Sequence, residues 1–166
     1  MSAETITTAL FLITAVVASA VLINAIYPVI QNMAGTFSSS THESDVRIRT
    51  DFKIIATFAS GSTGNAQVWM KNTGTERISV SEIQRADVFC GAVDSFDHLT
   101  YTSGSPGVNQ WTAEFGPDYD LNANSYWDSG ETLKITAKTS VSSGDKVFFQ
   151  FALPNGIWRS NEFTAS

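Results

Sequence analysis

The sequence lacks most of what soluble enzymes and nucleic-acid binders are built from. It has one cysteine, Cys90, so no intrachain disulfide can form. Its two histidines, His42 and His98, have no His, Cys or paired carboxylate nearby at a ligand or nucleophile–base spacing. No glycine-rich phosphate loop occurs, and no N-x-Ser/Thr sequon. Ten Lys and Arg stand against sixteen Asp and Glu, for a net charge of −6, and the cations are not clustered. Nucleic acid, which needs phosphate-neutralising Lys and Arg, is therefore excluded as a partner. With no catalytic constellation, the chain reads as a non-enzyme. His98 reads as a surface or edge residue, and Cys90, beside Gly91, as a small buried hydrophobe.

A further absence is local. From Thr5 to Thr41 there is no Lys, Arg, Asp or Glu, and the stretch begins with "TITTALFLITAVVASAVLINAIYPVI". Ile6–Ile30, 25 residues, spans about 37 Å as a helix against a hydrocarbon core of about 30 Å. A cleaved secretory signal has a basic leader and a shorter apolar core, and "MSAE" supplies no base. A core helix of a soluble protein would need one polar face. The stretch therefore reads as a membrane span or as the core helix of a filament. Thr14 with Ala18, and Ala15 with Ser19, lie one turn apart and would let another helix approach closely. Pro28 lacks an amide donor and crowds the carbonyl of Asn24, which predicts a kink or loosening there.

The organisation expected is an apolar helix over residues 1–31, a Gly/Ser-rich joint over 32–45 and a head over 46–166. The joint, "NMAGTFSSSTHESD", reads as a linker or a frayed helix end. Beyond it the apolar period changes to two. In "VRIRTDFKIIATF", Val46, Ile48, Phe52, Ile54, Ala56 and Phe58 share one face, which predicts a half-buried strand. Strands are also expected at Gln67–Lys71, Asp87–Phe89, His98–Thr102, Trp111–Phe115, Thr132–Thr139 and Val147–Leu153, with a short last one around Trp158. Thr132–Thr139 and Val147–Leu153 look like a hairpin turned by "SSGDK". The fold class is thus an N-terminal hydrophobic helix followed by an all-β, Ig-like antiparallel sandwich.

One loop carries chemistry. In "DLNANSYWDSGE", counting from Asp120, side-chain oxygens fall at positions 1 (Asp120), 3 (Asn122), 5 (Asn124), 9 (Asp128) and 12 (Glu131), and Tyr126 offers its carbonyl at 7. That is the ligand schedule of an EF-hand-type calcium loop. Position 6 is Ser125 where such loops place Gly, so the sharp turn is strained, and three carboxylates predict weak Ca2+ affinity. The competing reading is a polar turn. Of the aromatics, Phe52, Phe58, Phe149 and Phe151 fall at inward positions. Trp69 points outward beside Gln67 and Lys71, while Trp111, Tyr119, Tyr126 and Trp127 surround the loop as a candidate protein or sugar contact.

The apolar helix, the serine-rich joint, "DVRIRTDFKI", "VWMKNTG", "ADVFCG", "WDSGETLKI" and "FALPNG" together resemble the archaeal archaellins and archaellar accessory proteins, nearest the accessory FlaG and FlaF type. The resemblance spans nearly the whole chain. It implies a helix in the cytoplasmic membrane and a β-sandwich outside it. The head would contact the surface layer, other archaellar subunits or copies of itself, as a stationary support for a rotating filament. Filament archaellins of the family carry a short basic leader and often many sequons. Here the leader is either missing or already removed and no sequon occurs, which favours the accessory type, with a filament subunit as the alternative. A membrane-tethered sugar- or calcium-binding module is the third reading.

Overall fold

The computed structural model of the protein describes residues 2–114 and 119–166. Its first element, α1, runs from Ala3 to Arg49 and contains Pro28 in its interior. The strands are β1 (Phe52–Ser60), β2 (Asn65–Asn72), β3 (Ile78–Ser79), β4 (Asp87–Ala92), β5 (Ser95–Tyr101), β6 (Gln110–Glu114), β7 (Tyr126–Trp127), β8 (Thr132–Lys138), β9 (Lys146–Ala152) and β10 (Trp158–Thr164), and a single helical turn, α2 (Val80–Ile83), follows β3. The chain divides into two compact units, Met1–Ser44 and Asp45–Ser166.

Helix α1 continues through the stretch expected to be a joint and through the first residues of the expected strand. The small polar residues are accommodated by returning their hydroxyls to the backbone one turn back: Thr36 to Asn32 O at 2.9 Å, Ser39 to Gly35 O at 3.1 Å, and Thr41 to Phe37 O at 2.8 Å. Extending an existing helix by one residue is also much easier than nucleating a new element. Asp45 and Arg49 then pair at 3.0 Å across the last turn. Ile48, expected inward, is 83% exposed.

Strand β1 starts at Phe52, and a bulge between Ile54 and Ala56 reverses its faces. Phe52 is fully buried as expected, but beyond the bulge Ala59 takes the inward position and Phe58 is exposed. That corrects the placement of Phe58 in the core. The bulge costs the alternating pattern one residue, which moves every later side chain to the opposite face.

Eight strands hydrogen-bond in the order β1-β2-β8-β6-β5-β4-β9-β10, with β3 and β7 as a separate pair. All neighbours are antiparallel except β5 and β6, which meet in parallel at Thr100–Gln110 and Tyr101–Trp111. The expected hairpin of β8 and β9 does not form. Strand β8 pairs with β2 and β6, whereas β9 pairs with β4 and β10. Both strands alternate buried and half-buried residues because each offers an inward face to the same core, and that pattern does not say which neighbours they have. The strand expected at Trp111–Phe115 is β6, described as far as Glu114; Phe115 lies outside the described residues.

Aromatic rings hold the centre. Phe52 lies 5.7 Å from Trp127 and 5.6 Å, edge-on, from Phe151, which stands 6.1 Å from Trp111. Trp111 and Trp127 are 0% and 2% exposed, so neither belongs to an exposed aromatic set around the acidic loop. Trp127 satisfies its indole N–H on Glu131 O at 2.9 Å.

Candidate functional site

The acidic loop links β7 and β8 to the chain before them and is organised from its own polar groups. The Asp120 carboxylate accepts the amides of Asn124 (3.3 Å) and Ser125 (3.0 Å). Asn122 Oδ1 accepts from Asn124 N at 3.1 Å and Asn124 Oδ1 from Tyr126 N at 2.8 Å, two Asx turns in succession. The Nδ2 groups of Asn122 and Asn124 both donate to Asp128 Oδ2 at 2.7 Å. These bonds, Asn122 first, hold the Asp128 carboxyl below its ordinary range, with a smaller contribution from the Arg77 charge. Ser125 has φ of +63°, so the sixth loop position does adopt the left-handed turn that the ligand schedule requires, with Ser in place of Gly.

Glu131 behaves differently. It is 5% exposed, and its carboxylate accepts Leu121 N and Asp128 N, each at 2.9 Å. It thereby closes the loop onto itself. Tyr126 lies in β7 with the Arg77 guanidinium 4.7 Å above its ring. Among the described residues, no group of three His, Cys, Asp or Glu side chains is arranged to hold a metal ion. The side chains of Asn122 and Asn124 nevertheless converge on the Asp128 carboxylate, through their nitrogens.

On α1, the proposed packing residues Thr14, Ala15, Ala18 and Ser19 are all exposed. Thr14 and Ser19 donate their hydroxyls to Leu10 O and Ala15 O, both at 2.8 Å. Both faces are thereby small and carry no unsatisfied hydroxyl donor, which suits either lipid or another helix. Over Leu10–Ile13 four consecutive apolar residues are at least 59% exposed, and consecutive residues on a helix point about 100° apart. No polar face is left.

The remaining reactive groups have structural roles. Burial pushes the Cys90 thiol up to about 12, which leaves no thiolate nucleophile near neutral pH. His98 is exposed and meets Asp87 Oδ1 at 3.0 Å. One device escaped the sequence reading: Ser79 and Glu82 form a capping box at the start of α2, foreshadowed by the Ser-x-x-Glu spacing.

A long apolar helix followed by a β-sandwich head is the architecture that the described residues define. The model of archaeal-type flagellin matches residues 2–163, and the chain belongs to that family. It is a structural component of the archaellum, at the cell envelope or in the extracellular filament, and not an enzyme. An uncharacterized protein of Archaeoglobus fulgidus is 29% identical over 168 residues, covering 98% of each chain. The archaellum periplasmic stator protein FlaG of Sulfolobus acidocaldarius is 23% identical, with TM-score 0.53 over 69% of this chain and 99% of that one. The same TM-score is found for its complex with FlaF, over 68% of this chain and 87% of that one. The archaeal flagellum of Methanospirillum hungatei is 14% identical with TM-score 0.67, over 97% of this chain and 93% of that one.

Proposed function

We propose that the chain is a membrane-anchored, stator-like accessory protein of the archaellum. Ile6–Ile30 sits in the cytoplasmic membrane, and the head, outside it, engages the surface layer or a partner subunit. The observation that carries this reading is the apolar circumference of α1, which is long enough to cross a bilayer and has no charge from Thr5 to Thr41. The 23% identity to a stator protein, against 14% to a filament subunit, supports it. One observation favours the rival reading, a filament-forming archaellin: the M. hungatei likeness extends over 97% of the chain, helix included. Fractionating source cells into sheared filaments and washed membranes separates the two. Detection in membranes alone is expected, and detection as a major filament component overturns the accessory reading.

For the acidic loop we infer weak calcium binding through Asp120, Asn122, Asn124, Tyr126, Asp128 and Glu131. Support comes from the two carboxamides that converge on Asp128 Oδ2. Turning each by half a circle would present oxygens in place of nitrogens, at the expense of the two Asx turns. That exchange predicts affinity in the range of extracellular modules, about 0.1–1 mM. Calcium should raise the melting temperature of the wild type and not that of Asp120→Ala. If the wild type does not respond, the loop is only a turn.

A further inference from the structure

Along Ile6–Ile30 the hydroxyls of Ser and Thr return to the helix that carries them. Thr7 donates to Ala3 O and Thr8 to Glu4 O, both at 2.9 Å, as Thr14 and Ser19 do to the preceding turn at 2.8 Å. Asn24 is different. It is exposed, and among the described residues its side chain has no hydrogen-bond partner. Counted back from Ile30, it lies about 9 Å inside the span. Tyr27 and Gln31 follow it nearer the aqueous boundary, where polar side chains find water.

Two features make Asn24 costly in lipid. A hydroxyl can satisfy its donor on a carbonyl of its own helix. A carboxamide also brings an acceptor oxygen, and the N–H groups of the surrounding turns are already committed to the helix. Pro28, four residues on, has no N–H, so the Asn24 main-chain carbonyl lacks its ordinary ladder partner as well. One residue thus gathers an open carbonyl, a free Oδ1 and two Nδ2 hydrogens at a depth without water, where unsatisfied polar groups are expensive.

The line around it suits a second helix. Val17, Ala20, Asn24, Tyr27 and Gln31 are all exposed and alternate spacings of three and four, which places them on one stripe of α1. Ala20, one turn before Asn24, is small enough to let another backbone approach. Ala15 and Ser19 lie about 140–180° round the helix from Asn24 and belong to a different face. Copies inserted by the same segment from the same side run parallel, so the residue that meets Asn24 at its own depth is Asn24 of the other copy. A carboxamide is its own complement, donating through Nδ2 and accepting through Oδ1.

We propose that α1 pairs in the membrane with α1 of a second copy, in parallel about a two-fold axis, through reciprocal hydrogen bonds between the two Asn24 carboxamides. The inference rests on the reading that Ile6–Ile30 spans a bilayer.

The test uses the full chain reconstituted into phosphatidylcholine vesicles, with energy transfer between donor- and acceptor-labelled copies followed as lipid is added. The wild type should show transfer that falls on dilution as a two-copy equilibrium. Asn24→Leu should weaken the association about tenfold. Asn24→Gln keeps the carboxamide and should retain most of it, and Ala15→Leu with Ser19→Leu should leave it unchanged. The head's melting temperature should be the same in all of them. Sedimenting the vesicles after a high-salt wash reads the anchor separately. Wild type that stays with the vesicles and shows no transfer, or transfer that Asn24→Leu leaves untouched, overturns the pairing and leaves the anchor standing. Wild type that washes off overturns both.

Discussion

The two units of the chain use apolar residues in opposite ways. In the head, Trp111, Phe52, Phe149 and Phe151 are wholly removed from solvent, and every ring has ring or aliphatic neighbours. In α1 no residue is buried, and Phe11 and Val16 stand 71% and 69% exposed. The head supplies its own apolar environment. The helix must find one elsewhere, in lipid or among other helices, because an exposed surface of this size in water favours association. Substitutions in the two units should therefore report through different measurements.

The largest effect is expected in the head's centre. Phe151→Ala removes the ring shared by Phe52 and Trp111, and should lower the unfolding free energy of the head by about 3–5 kcal/mol in urea titration. A loss under 1 kcal/mol would mean that the core is not a single aromatic cluster. Ser125→Gly comes next and has the opposite sign. Its left-handed backbone predicts a gain of about 1 kcal/mol, since the turn no longer holds a Cβ in a strained region.

Acid should act on the head alone, and weakly. The Asp128 carboxyl is held below its ordinary range in the folded loop, so the associated stability is present above the unfolded value of about 3.9 and is lost as pH falls through the lower folded value. Melting curves recorded from neutral pH downward should steepen below about pH 4, and Asp128→Asn should remove that part of the slope. Smallest of all, Ala15→Leu together with Ser19→Leu should leave the head's melting transition where it is. The same pair sharpens the functional question: membrane retention should survive it, while filaments that depend on close helix approach would be lost.

How much of this was legible in the sequence depended on range. Strands β8 and β9 could be read almost to the residue, because alternate burial of Leu133, Ile135, Ala137 and Val147, Phe149, Phe151 is a local property. Their partners could not be read, since both halves of a sandwich bury the same alternating pattern. The bulge after Ile54 left no composition signal, and it sent Phe58 to solvent. The helical course of Asn32–Arg49 was hidden because Gly, Ser and Thr read as breakers, and only the structure shows the Ser and Thr hydroxyls bonded to the preceding turn. In the acidic loop the spacing of oxygens and the strain at Ser125 were both visible. The commitment of Glu131 to Leu121 and Asp128 amides was not, because it depends on the closed loop.

The entry of the chain into the head has a mechanical side. Arg49 O accepts the amides of Thr75 and Glu76 at 2.9 and 3.2 Å, and Asp51 O those of Thr73 and Gly74 at 2.9 and 2.8 Å. A Cβ on Gly74 would come within 2.2 Å of Arg49 O, so only glycine lets the two backbones meet. Tension arriving at Arg49 would therefore load four main-chain bonds together, to the turn that follows β2, before any core side chain had to move. Such a clasp resists pulling whatever residues surround it, and its one irreplaceable part is the hydrogen atom that stands for a side chain at position 74.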